Sequence, residues 1–170
     1  SRCCCERSPC NGSALYPSDE VKKELVPLRP AMEMKSHIVH VKTIAPGTEV
    51  SYGGIYTADS ARRIATVPVG YADGYPRSLS NKGVVLIAGK RAPICGRVCM
   101  DQFMVDVSGI DCSVGDDVVL VGTQGDKTLT MEEVSEAAHS FNYELPCRIS
   151  RRVPRVYFSG GKPIETKIYI

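Results

Sequence analysis

Tryptophan is absent from this chain, phenylalanine occurs only three times, and aromatic residues make up 6% of it. Proteins that hold single-stranded nucleic acid stack bases on aromatic side chains along a basic groove. Here such platforms are scarce, and 21 basic residues face 19 acidic ones for a net charge of +2. No long run of one sign breaks that balance, so neither a nucleic-acid nor an anionic-membrane footprint is expected. Long apolar runs are missing too. Stretches such as Val84 to Ala88 and Val118 to Val121 fall far short of the roughly 20 residues a membrane-spanning helix needs. No charged leader followed by an apolar stretch opens the chain, which makes the cytoplasm the expected location.

The usual catalytic signatures are lacking as well. There is no Gly-rich phosphate loop ending in Lys and Ser or Thr, and no helix with paired zinc-binding histidines. The only histidines are His37, His40 and His139; His40 is expected on a solvent face and His139 on the polar side of a helix. Cysteine is plentiful, at eight residues, but Cys3, Cys4, Cys5 and Cys10 crowd into the first ten positions. In the body, Cys95, Cys99, Cys112 and Cys147 lie in apolar or turn contexts and read as small buried hydrophobes. A zinc site needs two close ligand pairs, and Cys95 with Cys99 supplies only one, so no metal is expected.

What is present reads as one mainly β domain. With 170 residues, 43% of them hydrophobic and 24% charged, the chain can bury a core of its own. Residues 1–13, SRCCCERSPCNGS, show no apolar periodicity and are set apart as an unassigned tail or appended segment. SDEVKKEL then offers one helical turn capped by Ser18, and Pro27 and Pro30 interrupt the stretch after it. HIVHVKTI alternates, with Val39 and Val41 on one face and His40 and Lys42 on the other, as a half-buried strand does. EVSYGGIYTA and ARRIATVPVG are two more β-rich stretches. YADGYPRSLSNKG carries Gly, Pro, Asp and Asn at a density that predicts a loop.

VVLIA and RAPICGRV predict a hairpin joined by Gly89 and Lys90 in a type II′ turn. MVDV and DDVVLVG add two strands, TQGDKTLT a short loop and a brief strand, and RVYF with IETKIYI closes the series; in the last, Ile164, Thr166, Ile168 and Ile170 alternate with Glu165, Lys167 and Tyr169. Helical period is convincing only once. Thr130 with Glu133 forms a capping box, and Met131, Val134, Ala137, Ala138 and Phe141 fall on one face, which predicts a single three-turn helix over about 130–141. Some eight to ten short strands and one helix predict a β-barrel or sandwich rather than a βαβ fold.

Polar and aromatic residues crowd into Gly-rich turns at three places, VSYGGIYTA, VPVGYADGYPR and GRVCMDQFMVDV. From composition, Tyr52, Tyr56, Tyr71 and Tyr75 read as amphipathic core or edge residues with hydroxyls at the rim. As an ordered set, however, LRPAMEMKSHIVHVK, PGTEVSYGGIYTA, ATVPVGYADGYPR, APICGRVCMDQFMVDV, VGDDVVLVG and NYELPCRISRRVPRVY resemble the carboxy-terminal domain of the bacterial alanine racemases. Those enzymes use pyridoxal phosphate to interconvert L- and D-alanine, the latter for the cell wall. The resemblance covers essentially Leu15 to Phe158.

It implies that residues 14–170 are the carboxy-terminal β-domain, barrel-like, of a two-domain subunit. The amino-terminal α/β barrel that carries the cofactor, with its lysine in a segment like VKANAYGHG, is not among these 170 residues. In the family two subunits pair head to tail, so the partner implied here is the barrel of a second subunit. Racemisation removes a hydrogen from one face of the substrate and returns one to the other, which calls for two acid/base groups. By motif the one on the side opposite the lysine is Tyr52, acting on the L-alanine hydrogen.

By the same carry-over, Met100 offers its backbone amide to the substrate carboxylate and Asp101 lies beside it. Tyr143 hydrogen-bonds the cofactor phosphate. Tyr71, Arg77 and Arg97 line the corridor by which substrate reaches the site, with Phe141 where the corridor wall is usually aliphatic. The chain alone is expected neither to racemise alanine nor to hold pyridoxal phosphate stably. Two rivals remain beside this reading: a racemase of another amino acid such as serine, and a non-enzymatic β-barrel binding module.

Overall fold

The computed structural model describes residues 30–169. The tail, the turn capped by Ser18 and Ile170 lie outside the described residues. Within them the chain forms β1 (Met34–His37), β2 (His40–Ile44), β3 (Glu49–Val50), β4 (Tyr56–Thr57), β5 (Arg62–Val67), β6 (Val84–Ile87) and β7 (Lys90–Cys95). It continues through β8 (Phe103–Asp106), β9 (Asp117–Gln124), β10 (Lys127–Leu129), α1 (Met131–Ala137), α2 (Glu144–Arg148), β11 (Arg155–Ser159) and β12 (Lys162–Lys167).

The main sheet runs β1-β9-β6-β7-β8-β5-β2, with β10 also on β9, and its pairings are antiparallel. HIVHVKTI is therefore two strands, not one. They stand at opposite ends of the sheet path, parted by Ile38 and Val39. Seven flat strands would set the outer two roughly 29 Å apart, yet three Cα steps reach at most about 11 Å. The sheet must curl until its ends meet, and the meeting point is visible in the backbone. The Ile38 amide donates to Asp116 O beside β9, and the next amide, Val39, donates to Thr66 O of β5, both at 3.0 Å. Ile38 is fully buried at this corner, while Val39 is exposed and does not share a face with Val41.

Apolar side chains fill the curled sheet, and in β6 and β9 consecutive residues are buried rather than alternate ones. Val85, Leu86 and Ile87 of β6, Val105 of β8, Leu120 of β9 and Leu129 of β10 are buried, with Tyr75 stacked on Phe103 at 5.2 Å. Each such side chain contributes about 1.5–3 kcal/mol relative to exposure. A second, smaller cluster of Ile44, Val50, Ala58, Ile64 and Cys95 supports β3 and β4.

The β6–β7 hairpin forms as expected, but its loop is Ala88–Gly89, since Ile87 pairs with Lys90. Both loop residues have positive φ, 48° and 70°, the pattern of a type I′ turn, whose twist matches the flanking strands. A single positive φ at the first loop position occurs instead at Gly125, between β9 and β10.

Helix α1 is shorter than predicted. Thr130 caps it, accepting from the Glu133 amide at 3.2 Å. The Glu133 carboxylate does not close the box; it forms an ion pair with Arg91 across on β7. At His139 the backbone turns left-handed, φ 54°, which ends the helix after two turns and leaves Phe141 outside it and exposed. His139 is exposed just past the helix rather than on it, and meets Lys82 at 3.0 Å. A second short helix, α2, comes next, so the count of one helix was too low. Cys95 and Cys112 are buried, but Cys99 is half-buried and Cys147 exposed; all four are free thiols. Strands β11 and β12 form a separate exposed hairpin, with Ile164 and Ile168 open to solvent. No described helix is long and apolar enough to cross a membrane, and no described group of three or more His, Cys, Asp or Glu could hold a metal ion.

Candidate active site

Four turns converge at one end of the curled sheet. The first is the tip of the β3–β4 hairpin, a 3-10 turn over Tyr52–Gly54. The chain enters it through Ser51 at φ 69°, a conformation that costs a non-glycine residue energy and needs support. The support is local: Ser51 Oγ donates to Arg97 O at 3.0 Å and touches Cys99 Sγ at 3.3 Å. Arg97 replies from the other side, its Nε donating to Tyr52 O at 3.1 Å. Tyr52 itself is 76% exposed, so its phenol is offered outward from a braced backbone.

The second turn, residues 96–102, begins at Gly96, where a Cβ would press on Val50 O and Ser51 Cβ. Val98 is buried and its amide donates to Ser80 Oγ at 3.0 Å. Cys99 N then donates to Gln102 O at 2.9 Å, a tight turn that pushes Met100 and Asp101 outward. The Met100 amide meets no acceptor among the described residues. Its side chain is 52% exposed.

The third turn is the 3-10 segment Tyr71–Asp73. Gly70 before it lies so close to the second turn that a Cβ there would overlap the carbonyls of Cys99 and Met100. Across this contact Tyr71 N donates to Cys99 O and Ala72 N to Met100 O, each at 3.0 Å. Asp73 is buried, and its Oδ2 accepts from Gly70 N at 2.8 Å. In the fourth turn, after α2, Ser150 N donates to Asp73 O at 3.0 Å. Arg152 reaches back to Asp73 at 2.9 Å and to Asp101 at 2.6 Å. Its guanidinium titrates above the ordinary range, first because of the Asp101 hydrogen bond and then because of the Asp73 charge.

Of the residues expected from sequence, Tyr52 and Arg97 are thus hydrogen-bonded, Tyr71 and Met100 are joined through their backbones, and Asp101 is tied to Asp73. Phe141 and Tyr143 form an edge-to-face pair at 5.8 Å just before α2. Arg77 is exposed on its own 3-10 turn, Arg77–Leu79. The four tyrosines grouped by composition separate. Tyr75 is core, Tyr56 half-buried, and Tyr71 and Tyr52 open. Ser51, Asp73 and Arg152 escaped the sequence reading. The arginine run in CRISRRVPR was visible, but which carboxylates it meets depends on turns separated by 51 residues.

The sequence profile described as "Alanine racemase, C-terminal domain" matches residues 31–157. Alanine racemase 1 of Clostridium acetobutylicum is 46% identical over 156 residues, 91% of this chain and 40% of that protein. Alanine racemase of Halothermothrix orenii is 53% identical over 133 residues, 78% of this chain and 35% of the relative. Among solved structures, alanine racemase from Bacillus anthracis with bound L-Ala-P superposes with a TM-score of 0.85 at 40% identity, over 92% of this chain and 40% of that one. The chain spans about 40% of the length of the first curated relative. Profile, identity and fold agree with the sequence resemblance, and the chain belongs to the alanine racemase family, where it corresponds to the carboxy-terminal domain.

Proposed function

We propose that this chain supplies one face of an alanine racemase active site, completed by the cofactor-bearing barrel of a second subunit in a homodimer. The observation that carries the reading is the Tyr52 phenol, exposed at a braced hairpin tip one residue beyond the Ser51 to Cys99 contact. On the other side of that contact stands Met100, whose amide meets no acceptor among the described residues. A proton-transfer group and a carboxylate donor are thereby held on adjoining turns.

The residues present fit pyridoxal phosphate from one side: Tyr143 would hold the phosphate, and Tyr52 and Met100 would face the amino acid. When bound, that cofactor is the electron sink that makes an amino acid's α-hydrogen acidic. Tyr52 Oη exchanges a proton with the α-carbon on the L face, and the Met100 amide orients the substrate carboxylate. Tyr71, Arg77, Arg97 and Phe141 border the approach, where guanidinium groups draw an amino-acid carboxylate inward. Without the cofactor lysine segment, which is not among these 170 residues, the chain alone is expected to be inactive.

The test is to mix the chain with a complementary barrel half that carries the lysine and pyridoxal phosphate, and to assay L-alanine, D-alanine and serine. Turnover of alanine that falls at least about 100-fold with Tyr52→Phe supports the reading. Serine turnover in preference to alanine would change the substrate, and full activity with Tyr52→Phe would remove the tyrosine from the chemistry.

A further inference from the structure

We propose that Arg152 is a positioning residue: by bridging Asp73 and Asp101 it sets the spacing between the turn that carries Tyr71 and the turn that carries Met100. The bridge is asymmetric. Its inner end is Asp73, whose side chain is 11% exposed, and its outer end is Asp101, 57% exposed. Asp73 is fixed by more than Arg152, since Oδ2 accepts from the Gly70 amide and its carbonyl accepts from Ser150. Asp101 makes no other side-chain hydrogen bond or ion pair among the described residues, so Arg152 is what anchors it.

The geometry makes small movements costly. Gly70 contacts the Cys99 and Met100 carbonyls with no room for a methyl group, so the two turns meet on a backbone-to-backbone surface. Among the described residues only two amide donors, from Tyr71 and Ala72, cross that surface. A planar guanidinium holds its nitrogens in a fixed fork; here Nη2 donates to Asp101 while Nε lies 2.9 Å from Asp73 as an ion pair, so one rigid group spans the two carboxylates. A lysine ammonium, with one nitrogen, cannot span the two carboxylates in the same way. Arg152 does not itself touch the reacting atoms; it acts through the Met100 amide and the Asp101 carboxylate.

The kinetic part of this inference rests on the racemase reading, whereas the structural part does not. Arg152→Gln and Arg152→Lys are therefore compared in two measurements. In amide NMR spectra of the 170-residue chain, Arg152→Gln is expected to shift or broaden Gly70, Met100 and Asp101 while the Val85 and Val105 core signals stay in place. In the assembled enzyme the KM for alanine is expected to rise about tenfold or more and kcat/KM to fall about 100-fold, with only partial recovery in Arg152→Lys. A purely structural loss would lower the amount of active enzyme and leave KM unchanged. Should Arg152→Gln fail to fold, Arg152→Lys, which keeps charge and bulk, still separates the outcomes. Met100 and Gly70 amides that are unmoved in either folded variant, or an Arg152→Lys protein indistinguishable from the parent, would overturn the proposal. Lack of turnover in every sample, parent included, counts against the racemase reading and leaves the amide spectra to decide this one.

Discussion

Arg97 and Tyr52 are joined by a hydrogen bond from the arginine Nε to the tyrosine carbonyl at 3.1 Å, and the Ser51 hydroxyl returns one to the Arg97 carbonyl at 3.0 Å. The pair locks the hairpin tip to the turn before Met100, so the exposed phenol rests on a backbone that is held at two points. Removing the guanidinium in Arg97→Ala is expected to cost about 1 kcal/mol of stability, and to raise hydrogen exchange at the Gly53 and Gly54 amides well above that at β5. Unchanged exchange at the tip would show that Ser51 alone holds it.

Gly70 has an ordinary extended backbone, so its lack of a side chain serves close approach rather than an unusual φ. The added methyl of Gly70→Ala would meet backbone carbonyls, which cannot rotate away as a side chain can. A loss of about 3 kcal/mol is expected, measured as a lower urea midpoint with an unchanged slope. A variant as stable as the parent would mean the two turns part easily.

Burial raises the Cys95 thiol to about 11 from an ordinary 9.0, and Tyr56 beside it to about 12 from 10.0, burial again being the first cause and the neighbouring Cys95 the second. Both groups are neutral in the folded protein at pH 8, and both ionise more readily when unfolded. Their contribution is thus fully present below pH 9 and is lost as pH rises through the folded values. For Cys95 the loss is on the order of 2–3 kcal/mol. Urea midpoints from pH 8 to pH 11 should fall from about pH 9 onward, and Cys95→Ala should flatten the first part of that decline. An equal decline in the variant would assign it elsewhere.

Ala88 occupies the first loop position of the β6–β7 hairpin at φ 48°, a conformation that asparagine adopts more readily than alanine. Ala88→Asn would create an Asn-Gly turn of type I′, with an expected gain of about 1 kcal/mol. Thermal unfolding checks it; a lower Tm would show that the alanine methyl makes a contact the larger side chain disrupts.

The local features most legible beforehand were those governed by neighbours in the chain. Short apolar runs marked β6 and β9, the glycine-bearing link marked the β6–β7 hairpin, and the Thr130 cap marked the start of α1, because turn and cap chemistry are set within a few residues. Features that depend on distant partners were missed. Alternation across HIVHVKTI masked the corner at Ile38, where successive amides serve opposite ends of the sheet. The Glu133 carboxylate left its capping box for Arg91, a choice invisible without β7. The end of α1 at His139, and hence the exposure of Phe141, was hidden behind an apolar spacing that continued for another turn.

The site divides in the same way. By itself the sequence determined the family, through six ordered segments, and with it the identities of Tyr52, Tyr71, Met100, Asp101 and Tyr143 as candidates. It also determined a β-rich architecture, since side-chain period is a local property. Only the tertiary structure decided which tyrosines stand in solvent, that Arg97 braces Tyr52, and that Arg152 joins Asp73 to Asp101. Such contacts join residues as far as 79 positions apart, and they exist only because the sheet curls until its first and last strands meet at Ile38 and Val39.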